Sequence, residues 1–379
     1  MNAKPIAHAI GATGKALFRA DHVGSFLRPK YLLDAHAQAV KGQIPAAQLR
    51  ATEDKAIAEV VKLQEDVGLY AITDGELRRE YFHLDFLAQL GGVKTDMPVL
   101  VTGPDGKEHL SPPMIRVAGK VRHVKDIQLA DFQYLHSLTR RTPKVTIPSP
   151  TMLHFRGGRG GISKEAYPDL EEFYQDVADA YAAELHSLAK AGCTLVQFDD
   201  TNLAYLCDDK MREAARQRGD DPDELPHRYA VFINRLLNQK PPGMTVGVHL
   251  CRGNFKSTWA AEGGYEPIAE ALFAQMNFDA YFLEYDDARS GDFRPLRFLP
   301  KGKLAVLGLI TSKLGALESK DDIKRRIEEA AKFAPLDQLA LSPQCGFAST
   351  IHGNDIAVEQ QARKLRFVVE IAREVWPDA

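Results

Sequence analysis

The sequence predicts an α/β protein, a (β/α)8 TIM barrel with a β-hairpin insertion after strand 2. Three observations predict it. Short apolar, β-rich runs alternate with longer amphipathic stretches, as parallel strands joined by crossover helices do. The alternation repeats through eight cycles in about 360 residues, an ordinary span for one such barrel with insertions. No Ser/Pro/Gly-rich linker, low-complexity run or duplicated segment divides the chain. Residues 16–379 therefore read as one barrel domain, preceded by a flexible tail at 1–15.

The predicted strands are Phe18–Val23, Ala71–Asp74, Val145–Ser149, Thr194–Phe198, Thr245–His249, Ala280–Glu284, Leu304–Gly308 and Gln338–Leu341. All are short and mostly apolar, as strands buried on both faces should be. Between them, Ala46–Val67 carries Leu49, Ala56, Val60 and Leu63 at helical spacing, and Leu170–Ala191 stops at a glycine. Asp321–Phe333 and Asp355–Val375 continue the pattern. Residues 87–124 break the rhythm: GPDGKEH lies between two β-like runs, Val99–Thr102 and Met114–Val117, which reads as a hairpin insertion.

Composition narrows the function. Among 379 residues, 48 Lys+Arg against 51 Asp+Glu leave a formal charge of −3, with no sign of a basic surface for nucleic acid. No stretch approaches the roughly 20 apolar residues that span a bilayer, and the N-terminus lacks a secretory pattern, so a cytoplasmic location is expected. Four cysteines are too few for a disulfide scaffold. Cys193 and Cys207 fall at a helix end and in a helical stretch and read as structural. Oligomeric state is open, homo-oligomers included.

Catalytic residues of such barrels come from the C-terminal ends of the strands. Here those ends are polar throughout: His22-Val-Gly-Ser25, Asp74-Gly-Glu76, Ser149-Pro-Thr151, Asp199-Asp200-Thr-Asn202, His249-Leu-Cys251-Arg-Gly-Asn254, Glu284-Tyr-Asp286-Asp287, Thr311-Ser-Lys313 and Ser342-Pro-Gln-Cys345-Gly346. The sharpest subset is His249, Cys251, Glu284 and Cys345, all zinc-ligand types. In extended chain, residues 249 and 251 point to one side, so His-x-Cys can offer two ligands to one ion. A His and a Cys on a strand are also common as packed core, and it is Cys345, flanked by Pro and Gly at another strand end, that favours the metal. Two thiolates, an imidazole and a carboxylate leave zinc electron-rich, a poor generator of hydroxide but suited to activating a substrate thiol. Alkyl transfer to sulfur follows from that chemistry.

The segments RADHVGSFLRP, ITDGELRR, SPTMLHF, QFDD, VHLC, FLEYDD and SPQCGF, in this order, resemble the catalytic domain of the cobalamin-independent methionine synthase family. The likeness is greater still to its short, single-barrel bacterial relatives. It runs from about Phe18 to the C-terminus and implies a zinc-dependent methyltransferase that makes methionine from homocysteine. The ligands it implies are His249, Cys251, Glu284 and Cys345. It also implies a homocysteine site at Gly24, Ser25, Glu76 and Asp199, where backbone N–H groups suit a carboxylate and two carboxylates suit an ammonium. Read alone, these acids would equally serve as surface groups or helix N-caps.

Three departures from the long enzymes stand out. Their additional N-terminal barrel has no counterpart here. Phe155 stands where they have a pterin-stacking Trp, with a smaller stacking area. Ile310-Thr311-Ser312 stands where they have a His that protonates the leaving folate nitrogen. The methyl donor is therefore either methyltetrahydrofolate or another carrier such as a methylcorrinoid. His22 and Asp200 are the candidate catalytic groups; His22 either supplies the missing proton or hydrogen-bonds a ligand or a neighbouring loop. The glycine-rich run Gly157–Gly161 reads as a lid rather than a phosphate cradle.

Other functions share some of these features. Relatives that open epoxides with coenzyme M keep the zinc, but a sulfonate thiol has no ammonium for Glu76 and Asp199. A non-catalytic zinc-binding relative predicts a metal site indifferent to thiols. A porphyrin-decarboxylase barrel leaves the ligand set unexplained.

Overall fold

The structure is a computed structural model describing residues 16–96, 100–102, 108–110, 113–253, 257 and 259–379. The expected tail at 1–15, the GPDG turn and Asn254 lie outside these residues. In chain order the strands are β1 (Ala71–Ile72), β2 (Gly91–Thr95), β3 (Leu100–Thr102), β4 (Glu108–Leu110), β5 (Ile115–Arg122), β6 (Thr142–Pro148), β7 (Leu195–Asp200), β8 (Thr245–Leu250), β9 (Ala280–Glu284), β10 (Leu304–Ile310) and β11 (Leu339–Pro343). Seven of them form one curled parallel sheet in the order β1-β6-β7-β8-β9-β10-β11, an α/β architecture consistent with a TIM-type barrel.

The first predicted strand, Phe18–Val23, forms no ladder of its own. A single parallel bridge pairs Ala20 with Leu341 of β11. Side chains do the remaining work: His22 Nε2 lies 3.2 Å from Ala71 O, Thr73 Oγ1 donates to Gly24 O at 2.7 Å, and Gln197 Nε2 donates to Val23 O at 2.5 Å. Beneath them Lys144 Nζ meets Asp21 Oδ2 at 3.0 Å, both side chains fully buried.

Strand parity explains where the site sits, because successive residues point to opposite faces of a strand. Ala280, Phe282, Leu304, Val306 and Ala340 join Phe18 in one small apolar cluster. Their neighbours Tyr281, Leu283, Ala305, Leu307, Leu339 and Leu341 belong to the large core shared with the helices. Carrying the first parity toward the C-terminal ends reaches Asp199, His249, Cys251, Glu284 and Ser342. The inner face thus changes from apolar to polar along the strands.

The helices follow the sequence pattern. Ala46–Val67 buries Ala56, Ile57, Val60 and Val61 and stops at Gly68 in left-handed conformation. Leu170–Lys190 begins at Asp169, whose carboxylate caps Glu171 N, and buries Phe173, Val177, Tyr181 and Leu185.

The insertion departs from expectation in its pairing. Residues 100–102 pair antiparallel with 108–110, whereas 115–117 pair with 93–95. The nearer partner wins because it closes the shorter loop. The glycine-rich run also differs from the expected lid. It forms a short 3-10 turn, Gly158–Gly161, and Ile162 just beyond it bridges Val117 of the insertion.

Removing the cation under the first segment should be costly, since it strands a buried carboxylate. Lys144→Ala should lose ~3–5 kcal/mol of unfolding free energy, measured by urea denaturation. A double variant, Asp21→Asn with Lys144→Met, should recover most of that loss.

Candidate active site

The C-terminal ends of the strands open into a cleft of about 1050 Å³, its solvent side included. Ser25, Glu76, Asp199, Asp200, His249, Cys251 and Cys345 all line it, from five different strand ends. The sequence-predicted groups therefore converge, although they span more than three hundred positions.

At its floor, ligand atoms of His249, Cys251 and Cys345 all lie within 4.8 Å of one another. The two sulfurs are 3.3 Å apart and not bonded as a disulfide. That is near the spacing of about 3.8 Å that two thiolates adopt on a tetrahedral zinc. Both ring nitrogens of His249 are buried without a hydrogen-bond partner. A buried imidazole with two idle nitrogens beside two thiols is a donor set that fits zinc. The two thiols lie within hydrogen-bond distance of each other, a contact that raises Cys251 and lowers Cys345. Burial pulls His249 down, but the Cys345 sulfur beside it more than reverses this.

Glu284 is not in that set of three. It is fully buried, its Oε2 accepts from Arg252 N at 2.8 Å, and its Oε1 pairs with Arg289 and, at 3.4 Å, with Lys313 Nζ. Burial raises its pKa, and Lys313, Arg252 and Arg289 together pull it below the ordinary carboxylate value.

The wall toward the first segment is acidic. Glu76 adopts a left-handed φ of 58°, unusual for a residue with a side chain. Asp74 Oδ1 accepts from its N–H at 2.9 Å and Arg28 Nη2 donates to its carbonyl at 2.8 Å, which hold that conformation. Its carboxylate accepts from Thr146 Oγ1 at 2.8 Å, with Arg79 at 3.8 Å. Asp199 accepts from Gln197 Nε2 at 2.7 Å. Burial first, and then the nearby Glu76 charge, push Asp199 up to about 7. Gly24 has a φ of 142°, and a Cβ there would lie 2.6 Å from Thr146 Cγ2. At Gly346 a Cβ would fall 1.9 Å from Ser25 Oγ, so only glycine lets this turn pack beside Cys345.

Three predicted residues are placed differently from the rest. His22 does not line the cleft; it is buried, its Nε2 faces Ala71 O, and burial and Lys144 hold its pKa well below the ordinary value. That geometry corresponds to the second reading of His22, a hydrogen bond to a neighbouring segment. Asp200 lines the cleft, but its oxygens already accept from Thr151 Oγ1 at 2.6 Å and Leu203 N at 2.8 Å. Its parity is opposite to Asp199, which directs it to the loop. Phe155 lies behind the wall, with its ring centroid 6.2 Å from that of Tyr205. Tyr205 is the ring that reaches the cleft, together with Tyr81, Phe82, His83 and Trp259. Arg156 lines it too. These residues stand on loops several positions beyond a strand end, where periodicity gives no signal. Arg156, next to Phe155 in the SPTMLHF segment, was the most findable. Cys193 and Cys207 are buried apart, with burial raising both to about 12.

Comparison with known proteins places this geometry. Residues 18–374 match the family model of the cobalamin-independent synthase catalytic domain. The chain belongs to that family. The methionine synthase of Pyrococcus abyssi is 26% identical to it over 86% of this chain and 84% of that protein. The uncharacterized YxjH of Bacillus subtilis is 46% identical, with 96% of each chain covered. A crystal structure of the putative vitamin-B12 independent methionine synthase from Listeria monocytogenes superposes with a TM-score of 0.76 at 37% identity, covering 95% of this chain and 98% of that one. The B12-independent methionine synthase from Shewanella sp. W3-18-1, in complex with selenomethionine, shares the fold at TM-score 0.71 and 20% identity, over 95% and 98% of the chains. Membership makes this a methionine-synthase-like methyl-transfer fold. Among the described residues no helix is long and apolar enough to cross a membrane.

The raised pKa of Asp199 has a cost with a definite sign. Its folded pKa, about 7, lies above the unfolded value, so ionisation opposes folding as pH rises from about 4 to 7. In metal-free protein, Asp199→Asn should therefore stabilise the fold at pH 8 by ~1–3 kcal/mol. The gain should shrink as the pH falls toward 4, followed by urea unfolding across that range.

Proposed function

We propose that this protein transfers a methyl group to the sulfur of homocysteine to give methionine, using zinc. The observation that carries this is the convergence of two thiols and an unpartnered imidazole with two buried carboxylates in one cleft. His249, Cys251 and Cys345 would hold the zinc, which when bound supplies the means of keeping a substrate thiol ionised and nucleophilic near neutral pH.

The chain's own groups do the rest. Glu76 and Asp199 hold the amino group, which as a cation favours the ionised form of both carboxyls. The Gly24-Ser25 turn receives the amino acid's carboxylate. Glu284, the fourth ligand implied by the resemblance, would have to leave Arg289 and Lys313 to reach a metal. Those two cations, with Arg252 N, take up its charge whenever it is not a ligand. Tyr81, Phe82, Tyr205 and Trp259 provide aromatic faces for a flat methyl carrier and exclude water from the sulfur. This wall favours methyltetrahydrofolate over a corrinoid as donor. We further read Phe18–Val23 as the eighth stave that closes the barrel.

Zinc analysis and zinc-edge X-ray absorption test the proposal. Near-stoichiometric zinc is expected, with a sulfur shell of two that rises to three on adding L-homocysteine. Cys345→Ser should lose both zinc retention and methyl transfer. Zinc whose sulfur shell ignores homocysteine, or metal-replete protein without zinc, would overturn it.

A further inference from the structure

The sheet lacks a rung where two of its functional strand ends meet. The β8–β9 ladder closes at Leu250 opposite Leu283, one residue short of both Cys251 and Glu284. Beyond it the main chains turn to their other neighbours: Cys251 N donates to Asp200 O at 2.9 Å and Tyr285 N to Gly308 O at 3.0 Å. A buried side chain fills the gap. Arg252 is 0% exposed, and its Nη1 donates to Glu284 O at 3.1 Å and to the Tyr265 hydroxyl at 3.0 Å. That hydroxyl accepts from Glu284 N at 2.9 Å and lies 3.5 Å from Leu250 O, where the next ladder bond would run.

The other arm of the guanidinium is anchored as firmly. Nε and Nη2 both donate to Gly263 O, at 3.0 and 2.7 Å, and Cζ lies 4.3 Å from the centre of the Tyr265 ring. Gly263 is itself fixed: a Cβ there would fall 2.1 Å from Cys207 O, and its N–H donates to Arg289 O at 2.8 Å. These guanidinium bonds go to carbonyls and a hydroxyl, so they direct geometry rather than neutralise the charge. A compact ammonium on a flexible stem could not span the same acceptors, because it lacks the rigid fork.

We propose that Arg252 is a positioning residue for the metal centre: with Tyr265 it replaces the missing rung and fixes the spacing of Cys251 from Glu284. The inference rests on the zinc reading above and adds the group that holds the strand ends in register. Because Glu284 is held at both N–H and C=O, any passage between Arg289 and a metal is confined to its side chain. The main-chain N–H of Arg252 receives Glu284 Oε2 off the metal. The spacing on which a tetrahedral site depends is then built before any metal arrives.

The probe is Co²⁺ alone, titrated into the metal-free full chain, with affinity taken from competition with a chelator and geometry from the visible d–d bands. Arg252→Lys should weaken Co²⁺ binding by about ten- to a hundredfold and shift the d–d bands. Tyr265→Phe, which removes one hydroxyl and keeps the ring, should shift them in the same direction with a smaller loss of affinity. This second variant carries the test if the Arg252 variants do not fold. A purely structural role would lower the urea midpoint of the metal-free variants and leave the spectrum of the loaded ones unchanged, which overturns the proposal. Unaltered affinity in Arg252→Lys beside a loss in Arg252→Gln would overturn it too, by reducing Arg252 to a charge. Spectra that shift in both variants, with no response to L-homocysteine in the unaltered protein, would uphold the positioning role and remove the methyl-transfer reading. No Co²⁺ binding by the unaltered protein would overturn both.

Discussion

The buried ion pair between Lys144 and Asp21 is the contact on which the site's geometry hangs. The segment that carries Gly24 and Ser25 makes just one parallel bridge to the sheet, at Ala20. A strand without a ladder must be held by its side chains. Lys144 supplies the centre of that hold, bonding to Asp21, to the carbonyl of His22 and, at 3.3 Å, to Gln197 Oε1. Gln197 in turn donates to both Val23 O and Asp199. One network therefore sets the position of the first segment and orients a carboxylate of the cleft. A buried ion pair adds little net stability, because desolvation offsets its attraction. Its value here is in position.

The site above this network separates its charges. Glu76 and Asp199 are buried near one another, so each makes the other harder to ionise. On the proposed function, a cationic ligand group would relieve that repulsion. Glu284 is the opposite case. Arg252, Arg289 and Lys313 surround it, and its charge is stable without any ligand. The two thiols and His249 lie between these extremes, each shifted by the others. Three buried acidic groups at neighbouring strand ends thus have three different protonation tendencies, each set by its neighbours.

The aromatic wall and the insertion belong together. The insertion pairs as two antiparallel ribbons, β2 with β5 and β3 with β4, and β5 is bridged to Ile162 just past the glycine-rich turn. Gly157–Gly161 are not among the residues lining the cleft, whereas Met114 and Ile115 of the insertion lie beside Arg156. Tyr81, Phe82 and His83 come from the loop after β1, Tyr205 from the loop after β7, and Trp259 from the loop after β8. Loops of this kind vary without disturbing the sheet, which is how one barrel changes its substrate.

Much of this was legible in the chain. Strand parity and helical periodicity are local properties, and they located the sheet strands and the long helices within a few residues. The same parity put His249 and Cys251 on one face, because two residues along a strand restore the direction of the side chain. The zinc-type donors were likewise readable, since chemistry at strand ends depends on residue type, whereas the acidic pair was singled out only through the family resemblance. What the chain could not determine was any outcome set by competition between distant groups. Glu284 has a ligand's identity, yet Arg289 and Lys313 bind it. His22 has a catalyst's identity, yet it is buried against Ala71. Phe155 is an aromatic at the expected position, yet Tyr205 covers it. His83 and Arg156 come to line one cleft only because loops from different strands meet there. Sequence alone determined which residues stand at the strand ends, because covalent spacing sets that. Tertiary structure decided which of them face the cleft and which are already satisfied, because burial and electrostatic pairing depend on neighbours that the fold alone brings together.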